Sequence, residues 1–424
     1  MRLELIRRLF IVLTVITIIV VVFPCFSNAS NPNPNKSDSQ RTSIGPFEGY
    51  GSEVTGGNGK RVAVVKNLKD TGVGSLRAAL GDNRTIKFEV SGTIKLATYL
   101  PMFYQNLTID GFSAPSPGIT LTGGSNDGCM EVYGPGYTDG ITIPGAHAAN
   151  VVIQGIRFRN CTGTDIKIGY SSHHIVVDHV SATGGTDGTI DVTTGAHDVT
   201  LSWNIISNNV NASGATLIKY SVRHVSLHHN IYYNNYGNSR VPWCEGGDDR
   251  TSGSVRDLGV ICDVRYNVIS KWLIGTLFDS DATTKSYGNV VSNYYDGQDQ
   301  DHARTNISIS RNPLVSAYVA GNASVLNPAG CPYGMTVIPA CIRNTNDPGN
   351  HAEYAVPPVS GPAPSDNQGR LDTWTAVLTQ AGVATHFPDD QDDARIRSGI
   401  TQPTATILTR PWNVPITSAN GSSK

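Results

Sequence analysis

Three aspartates and one arginine stand where their types and spacing suit chemistry. Asp165 precedes an apolar run that opens at Ile175, and Asp187 and Asp191 follow that run. Carboxylates that meet on one face repel one another until a hard cation relieves them, and calcium takes roughly six to eight oxygens. Aspartate is equally a common turn former, so spacing alone leaves the metal reading and the turn reading both open. Arg240 opens the triplet RVP; by itself such an arginine reads as half of a surface ion pair. His173, His174, His179, His228 and His229 crowd the same stretch, and they suit either proton transfer or a hydrogen-bonded wall. Cysteine spacing offers no CxxC pair, which speaks against a structural zinc centre.

The elements that must position these residues are short and repeated. Apolar runs open at Val151, Ile175, Val199 and Val225, each alternating for a few residues before a polar corner containing Gly, Asn or Asp. That is how strands joined by turns look. The shared period, in the mid-twenties, points to a solenoid with one strand-rich coil per repeat, in which residues one period apart stack. The segments 260–270 and 286–295 read as further coils. Asn204, Asn230, Asn267 and Asn289 fall at matching places and predict a buried asparagine ladder. The longer interval from Asn230 to Asn267 implies an inserted loop in GGDDRTSGSVRDLG, and such loops on solenoids shape binding grooves.

Outside the coils, Met1 to Ala29 reads as an export signal, with Arg2, Arg7 and Arg8 ahead of the apolar run from Leu9 to Phe23 and small residues at Ser27 and Ala29. That run is shorter than a membrane span usually requires, so a retained anchor is the lesser reading. Ser30 to Ser43 has almost nothing to bury and reads as a flexible linker. Val62 to Val65 predicts a strand, and Ser75 caps a short helix carrying Leu76, Ala79 and Leu80, which would cover the open end of a solenoid. Near the C-terminus, Asp372 is the expected cap of a helix with Trp374, Val377, Leu378 and Ala381 on one face, ended by Gly382.

Charge and cysteine content narrow the class. Net charge is −2, and no basic stripe marks a nucleic-acid surface. Charged residues are 16% of the chain and glycines number 44, as a turn-rich fold with uncharged polar ladders requires. Of seven cysteines, six remain once Cys25 is set aside with the export signal. Pairing sequence neighbours gives Cys129–Cys161, Cys244–Cys262 and Cys331–Cys341 among fifteen connectivities.

The ordered pieces VVDH (176–179), DGTID (187–191), TLSWN (200–204), SLHHN (226–230) and RVP (240–242), with Asp165 ahead of them, resemble the pectate lyases of polysaccharide lyase family 1. GPFEGYGSEVTGGNGK, NLKDTGVGSLRAAL, TIKFEVSGTI and GFSAPSPGITL extend the resemblance, which covers about residues 44 to 300. It implies an all-β fold: a right-handed parallel β-helix over 44–330 with a short N-terminal capping helix. A loop-rich tail with one or two helices, 331–424, would pack on it. It implies a secreted, calcium-dependent lyase acting on pectate or a related plant cell-wall polyuronate as a monomer, with no nucleic acid and no stable membrane association. By the same resemblance Asp165, Asp187 and Asp191 bind calcium. Arg240 takes the proton from C5, although a guanidinium is normally a poor base and needs neighbouring cations that disfavour its charge. The histidines match wall positions.

Three departures from the family pattern stand out. Gly214 occupies the place of a usual lysine, Glu245 that of a second arginine, and Gly163 that of an aspartate found in some members. Lys219 is the candidate substitute for substrate binding, although strand alternation counted from position 214 points it to the other face. Two further functions are open: a β-helix glycoside hydrolase using paired acids, against which the sequence lacks a GHG segment, and a glycan-binding β-helix without catalysis, which the changes at 214 and 245 favour.

Overall fold

The structure is a computed structural model. It describes residues 45–405 except 126–127, 136, 139–140, 143, 208–213, 236–239, 247–258, 273, 281–283, 297–304, 311–313, 325–341 and 344–351. The export signal, the linker, the inserted loop except its end residues Gly246 and Gly259, and the Cys331–Cys341 pairing lie outside the described residues. No helix among the described residues is long and apolar enough to cross a membrane.

Three sheets of 10, 9 and 9 strands run the length of the coils, and every pairing within them is parallel. Each coil contributes one strand to each sheet, which makes the fold a parallel β-helix. In the first sheet Val151, Ile175, Val199 and Val225 stand in successive register. Those are the four positions at which the sequence repeats open. Alternate residues point inward, where Ile153, Ile166, Ile190, Leu201 and Ile218 are fully buried. The outward positions are mostly polar, and they hold the chemistry.

Asparagine side chains lock successive coils. Val180 N donates to Asn204 Oδ1, Asn204 N to Asn230 Oδ1 and Asn230 N to Asn267 Oδ1, each at 2.8–2.9 Å. The ladder then continues through Asn293 and Asn322, not through Asn289 as the sequence suggested. Asn293 follows Asn267 by 26 residues, the same step that separates Asn204 from Asn230. Asn289 falls short of that step and instead bonds the backbone of Tyr354 on the outer face. The 37-residue step from Asn230 to Asn267 accommodates the inserted loop.

Helix α1, Leu76–Ala79, is capped by Ser75, whose hydroxyl accepts from Ala78 N, and Leu76 joins the main core. The segment 47–57 lies on the outer face of the first sheet. Its glycines are explained by close approach: a Cβ at Gly51 would stand 2.6 Å from a Val176 methyl, and Gly51 N donates to Thr200 Oγ1 at 2.7 Å. Helices α2 (Asn367–Gln380) and α3 (Gln391–Ser398) pack on the second sheet. Trp374 donates its indole N–H to Ser292 O. The cap of α2 is Asp366 rather than Asp372, since Asp366 accepts from Gly369 N, and the helix starts a turn and a half earlier than the apolar stripe suggested. Apolar spacing marks the face that packs, not where the hydrogen bonding starts. Disulfides join Cys129 to Cys161 and Cys244 to Cys262.

Candidate active site

The third sheet places the candidate residues. Its strands Ile166–Gly169, Ile190–Thr193, Leu217–Lys219 and Trp243–Gly246 are successive neighbours. At their leading ends the corners are tied coil to coil. Asp165 N donates to Gly188 O, Thr189 N to Ala215 O, and Ala215 N and Thr216 N both to Arg240 O. This backbone ladder draws the corners before four strands together, although Asp165 and Arg240 are far apart in sequence.

Asp187, Asp191 and Arg240 meet there. Arg240 Nη1 lies 3.9 Å from Asp187 Oδ1 and 3.9 Å from Asp191 Oδ2. Asp187 is exposed, whereas Asp191 sits on its strand with only 6% of its side chain accessible. Leu217 N donates to Asp191 Oδ1 at 2.8 Å, and Thr164 Oγ1 is 3.5 Å from its Oδ2. Burial raises the Asp191 pKa to about 6; Asp187 adds to the rise, while Arg240, the Leu217 amide and Lys167 pull it down.

Asp165 is different. Its carboxylate is wholly buried and both oxygens lack a hydrogen-bond partner. Burial pushes its pKa up to about 8, with Arg159 and the amides of Cys161 and Gly185 pulling it partly back. Those amides act electrostatically without reaching hydrogen-bonding geometry, so the carboxyl remains unsatisfied. Its charged neighbour is Arg159, not Arg240. Among the described residues no three of His, Cys, Asp and Glu converge as a metal cluster. The structure therefore gathers two of the three aspartates around Arg240 and leaves Asp165 in a separate buried position.

The departures acquire physical reasons. Gly214 sits at φ +113 against Arg240: a Cβ there would stand 2.7 Å from Arg240 Cβ, so no side chain fits without displacing the arginine. Glu245 Oε1 accepts from Lys219 Nζ at 2.8 Å, one coil to the next. Lys219 registers with Thr193, two residues beyond Asp191, and so shares the outer face with Asp191. Alternation counted from position 214 failed because Gly214 precedes the strand Leu217–Lys219 in a corner, where the two-residue period does not run. One pair went unnoticed in the sequence: Lys167 Nζ lies 2.7 Å from Glu131 Oε1, and both register with Asp191 in one outward row. Counting one period back from Asp191 would have found it.

The histidines bond one another or stack: His173 with His174, and His179 and His229 on either side of Trp203.

No family model matches the chain. The probable pectate lyase C of Aspergillus fumigatus is 28% identical over 254 residues, 58% of this chain and 52% of that protein. The probable pectate lyase C of Emericella nidulans is 30% identical over 270 residues, 60% of this chain and 59% of that protein. This chain is similar to pectate lyases. It spans a little over half the length of the curated relatives it matches. Among solved structures, jun a 1, the major allergen from cedar pollen, is similar at 16% identity, with 81% of this chain and 93% of that chain covered and a TM-score of 0.48.

Proposed function

We propose that the chain is a secreted calcium-dependent polysaccharide lyase that cleaves pectate, or a related plant polyuronate, by β-elimination. The observation that carries the reading is the meeting of Arg240 with Asp187 and Asp191 at the leading end of the third sheet, in a chain similar to proteins named probable pectate lyase C. Met1 to Ala29, read as an export signal, supports secretion.

The donor set suits calcium. Asp187 and Asp191 are hard oxygen donors held against the same cationic group, and Asp165 carries a buried carboxyl whose oxygens have no partner. Asp187 and Asp191 would hold the ion; Asp165, buried apart from them, is a third ligand by resemblance alone. Bound there, calcium supplies a positive charge toward the substrate carboxylate, which acidifies the C5 proton and offsets the charge that develops on elimination.

The chain's own residues do the rest. Arg240, as the neutral guanidine, would take the C5 proton, and the glycosidic oxygen would leave C4 as the C4–C5 double bond forms, taking a proton from water. Its backbone carbonyl, bonded by Ala215 and Thr216, holds the arginine at a fixed corner, which limits the geometry lost on the way to the transition state. Lys219, which shares the outer face with Asp191 and pairs with Glu245, would meet the polymer beside the reacting unit.

A glycan-binding β-helix without catalysis is the second reading, favoured by Glu245 holding Lys219 where the family pattern has an arginine. The deciding experiment follows ultraviolet absorbance of unsaturated uronide from polygalacturonate, with calcium and with chelator, for the parent and Arg240→Ala. The lyase predicts absorbance only with calcium and its loss in the variant. Retained polymer binding with no unsaturated product gives the second reading.

A further inference from the structure

The N-terminal end of the coils concentrates positive charge that the proposed reaction does not use. Residues 60–95 hold eight Lys and Arg against three Asp and Glu, a net of +5 in a chain of net charge −2. Two of the eight are engaged within the fold: Arg77 pairs with Asp70 at 2.6 Å, and Arg84 donates to the carbonyls of Ala79 and Leu80 at the end of α1. The other six, Lys60, Arg61, Lys66, Lys69, Lys87 and Lys95, are exposed, and none of them forms an ion pair among the described residues. Of the three carboxylates, Asp70 is paired with Arg77 and Asp82 faces His147 at 3.0 Å, which leaves Glu89 as the exposed one.

The six cations form no run in the sequence; folding gathers them. The strand Arg61–Val65 is outermost in the first sheet and Gly92–Leu96 outermost in the second. Val64 registers with Lys87 on the strand Arg84–Phe88, and alternation with the buried Val65, Ile86 and Phe88 turns Val62, Val64 and Lys87 outward. Loop 66–74, which carries Lys66 and Lys69, folds back on the second sheet. There Asp70 Oδ2 accepts from Ala97 N, two residues past Lys95, and a Cβ at Gly92 would stand 2.8 Å from a Leu68 methyl.

Among the described residues the large apolar side chains left open to water are Val62 and Val73, 52% and 99% exposed, and both lie in this region. Cations beside a free edge guard against strand pairing. That role accounts for Arg61 and Lys95, but not for Lys87, one strand in, nor for two bare valines. Exposed apolar side chains rimmed by polar ones mark an interaction surface, and its cations call for an anionic partner. The single aromatic ring of residues 60–95, Phe88, is buried, so the surface has no platform for stacking bases. A polyuronate fits: it carries a carboxylate on each ring and C–H faces that lie on aliphatic side chains.

We propose that this end of the coils is a second, non-catalytic binding surface for an acidic polysaccharide. The strand Ile190–Thr193, which carries Asp191, is three strands on from the outermost of the third sheet, roughly 15 Å at about 4.8 Å per strand, so one polymer chain can reach both. The choice of a polyuronate as ligand rests on the lyase reading above, whereas the surface does not.

The test is native electrophoresis through gels containing polygalacturonate and chelator, with retardation relative to a polymer-free gel giving Kd. Parent protein is compared with Arg240→Ala and with the fourfold variant Lys66→Ala, Lys69→Ala, Lys87→Ala and Lys95→Ala, its fold checked by circular dichroism. Parent and Arg240→Ala should be retarded alike, with Kd rising as salt is added, and the fourfold variant should bind about tenfold more weakly, the summed effect of four exposed charges. Equal retardation of the parent and the folded fourfold variant overturns the proposal, and so does equal retardation of the parent by uncharged galactan. Tighter binding of the parent to duplex DNA or to vesicles of anionic lipid than to polygalacturonate, lost in the same variant, overturns the ligand class. Absence of unsaturated product on every polymer, with the retardation and its loss intact, overturns the lyase reading and upholds the binding surface.

Discussion

Gly214 and Arg240 are in contact so close that a methyl group on residue 214 would stand 2.7 Å from Arg240 Cβ. Gly214 also holds φ +113, a backbone region that side-chain-bearing residues rarely adopt. The missing lysine is thus the condition for Arg240 to sit between Asp187 and Asp191. Gly214→Ala should push the guanidinium aside and lower kcat by up to about a hundredfold, the scale of a misplaced reacting group, with little change in KM. Steady-state kinetics on polygalacturonate measures this. An unchanged kcat in a folded variant would remove Gly214 from the positioning of Arg240.

Asp165 makes a pH-dependent prediction. Its folded pKa of about 8 lies above the ordinary carboxylate value of 3.8, so between those values the folded state holds a proton that the unfolded chain has released. Stability contributed by the neutral carboxyl is therefore full below about pH 4 and lost progressively up to about pH 8. Asp165→Asn should flatten this fall and stabilise the calcium-free protein at alkaline pH by a few kcal/mol, on the order of the cost of charging a buried group. Thermal unfolding across pH checks it, and a parent curve parallel to the variant's would refute the buried-acid description.

Calcium should act in the opposite direction. Its ligands must be deprotonated, and Asp191, proposed as one of them, has a pKa of about 6. Added calcium is expected to raise Tm strongly at about pH 9 and hardly at all at about pH 5. In Asp191→Asn, calorimetric titration should find affinity weaker by at least about tenfold. Equal binding by parent and variant would place the ion elsewhere.

The tail helices are clasped by buried charge. Asp393, with no exposed surface, lies 2.8 Å from Arg159 Nη2 and 3.4 Å from Arg157 Nε, and Asp390 pairs with Arg159 at 2.9 Å. Asp393→Ala leaves two nearly buried guanidinium groups short of a partner and should cost about 3–5 kcal/mol. Denaturant unfolding measures the loss. A change below about 1 kcal/mol would mean that the apolar contacts of Trp374, Val377 and Ile396 hold the tail by themselves.

Much of this was legible in the chain. The period of the apolar runs gave the register of the first sheet, because stacking coils requires equal spacing; Ser75 announced its helix because its hydroxyl satisfies a free amide. Where the sequence misled, the reason was local. Asn289 looked like a ladder member because it sits beside apolar residues, but only the 26-residue step to Asn293 brings an amide under the next coil's nitrogen. Asp372 stood at the start of an apolar stripe, whereas the free amides of α2 begin near Asp366.

By itself, then, the sequence determined that the chain coils and which residues alternate inward, since both follow from spacing, while Asp165, Asp187, Asp191 and Arg240 were gathered as candidates for one site by the resemblance. Only the tertiary structure decided which of them meet. The ladder through Thr189, Ala215 and Arg240 brings the arginine to Asp187 and Asp191, while Asp165 is shut from water, its oxygens without a partner. Pairing of Lys219 with Glu245 across coils was likewise invisible in one dimension. It depends on where a strand begins after a corner, and corner length is set by packing rather than by the repeat.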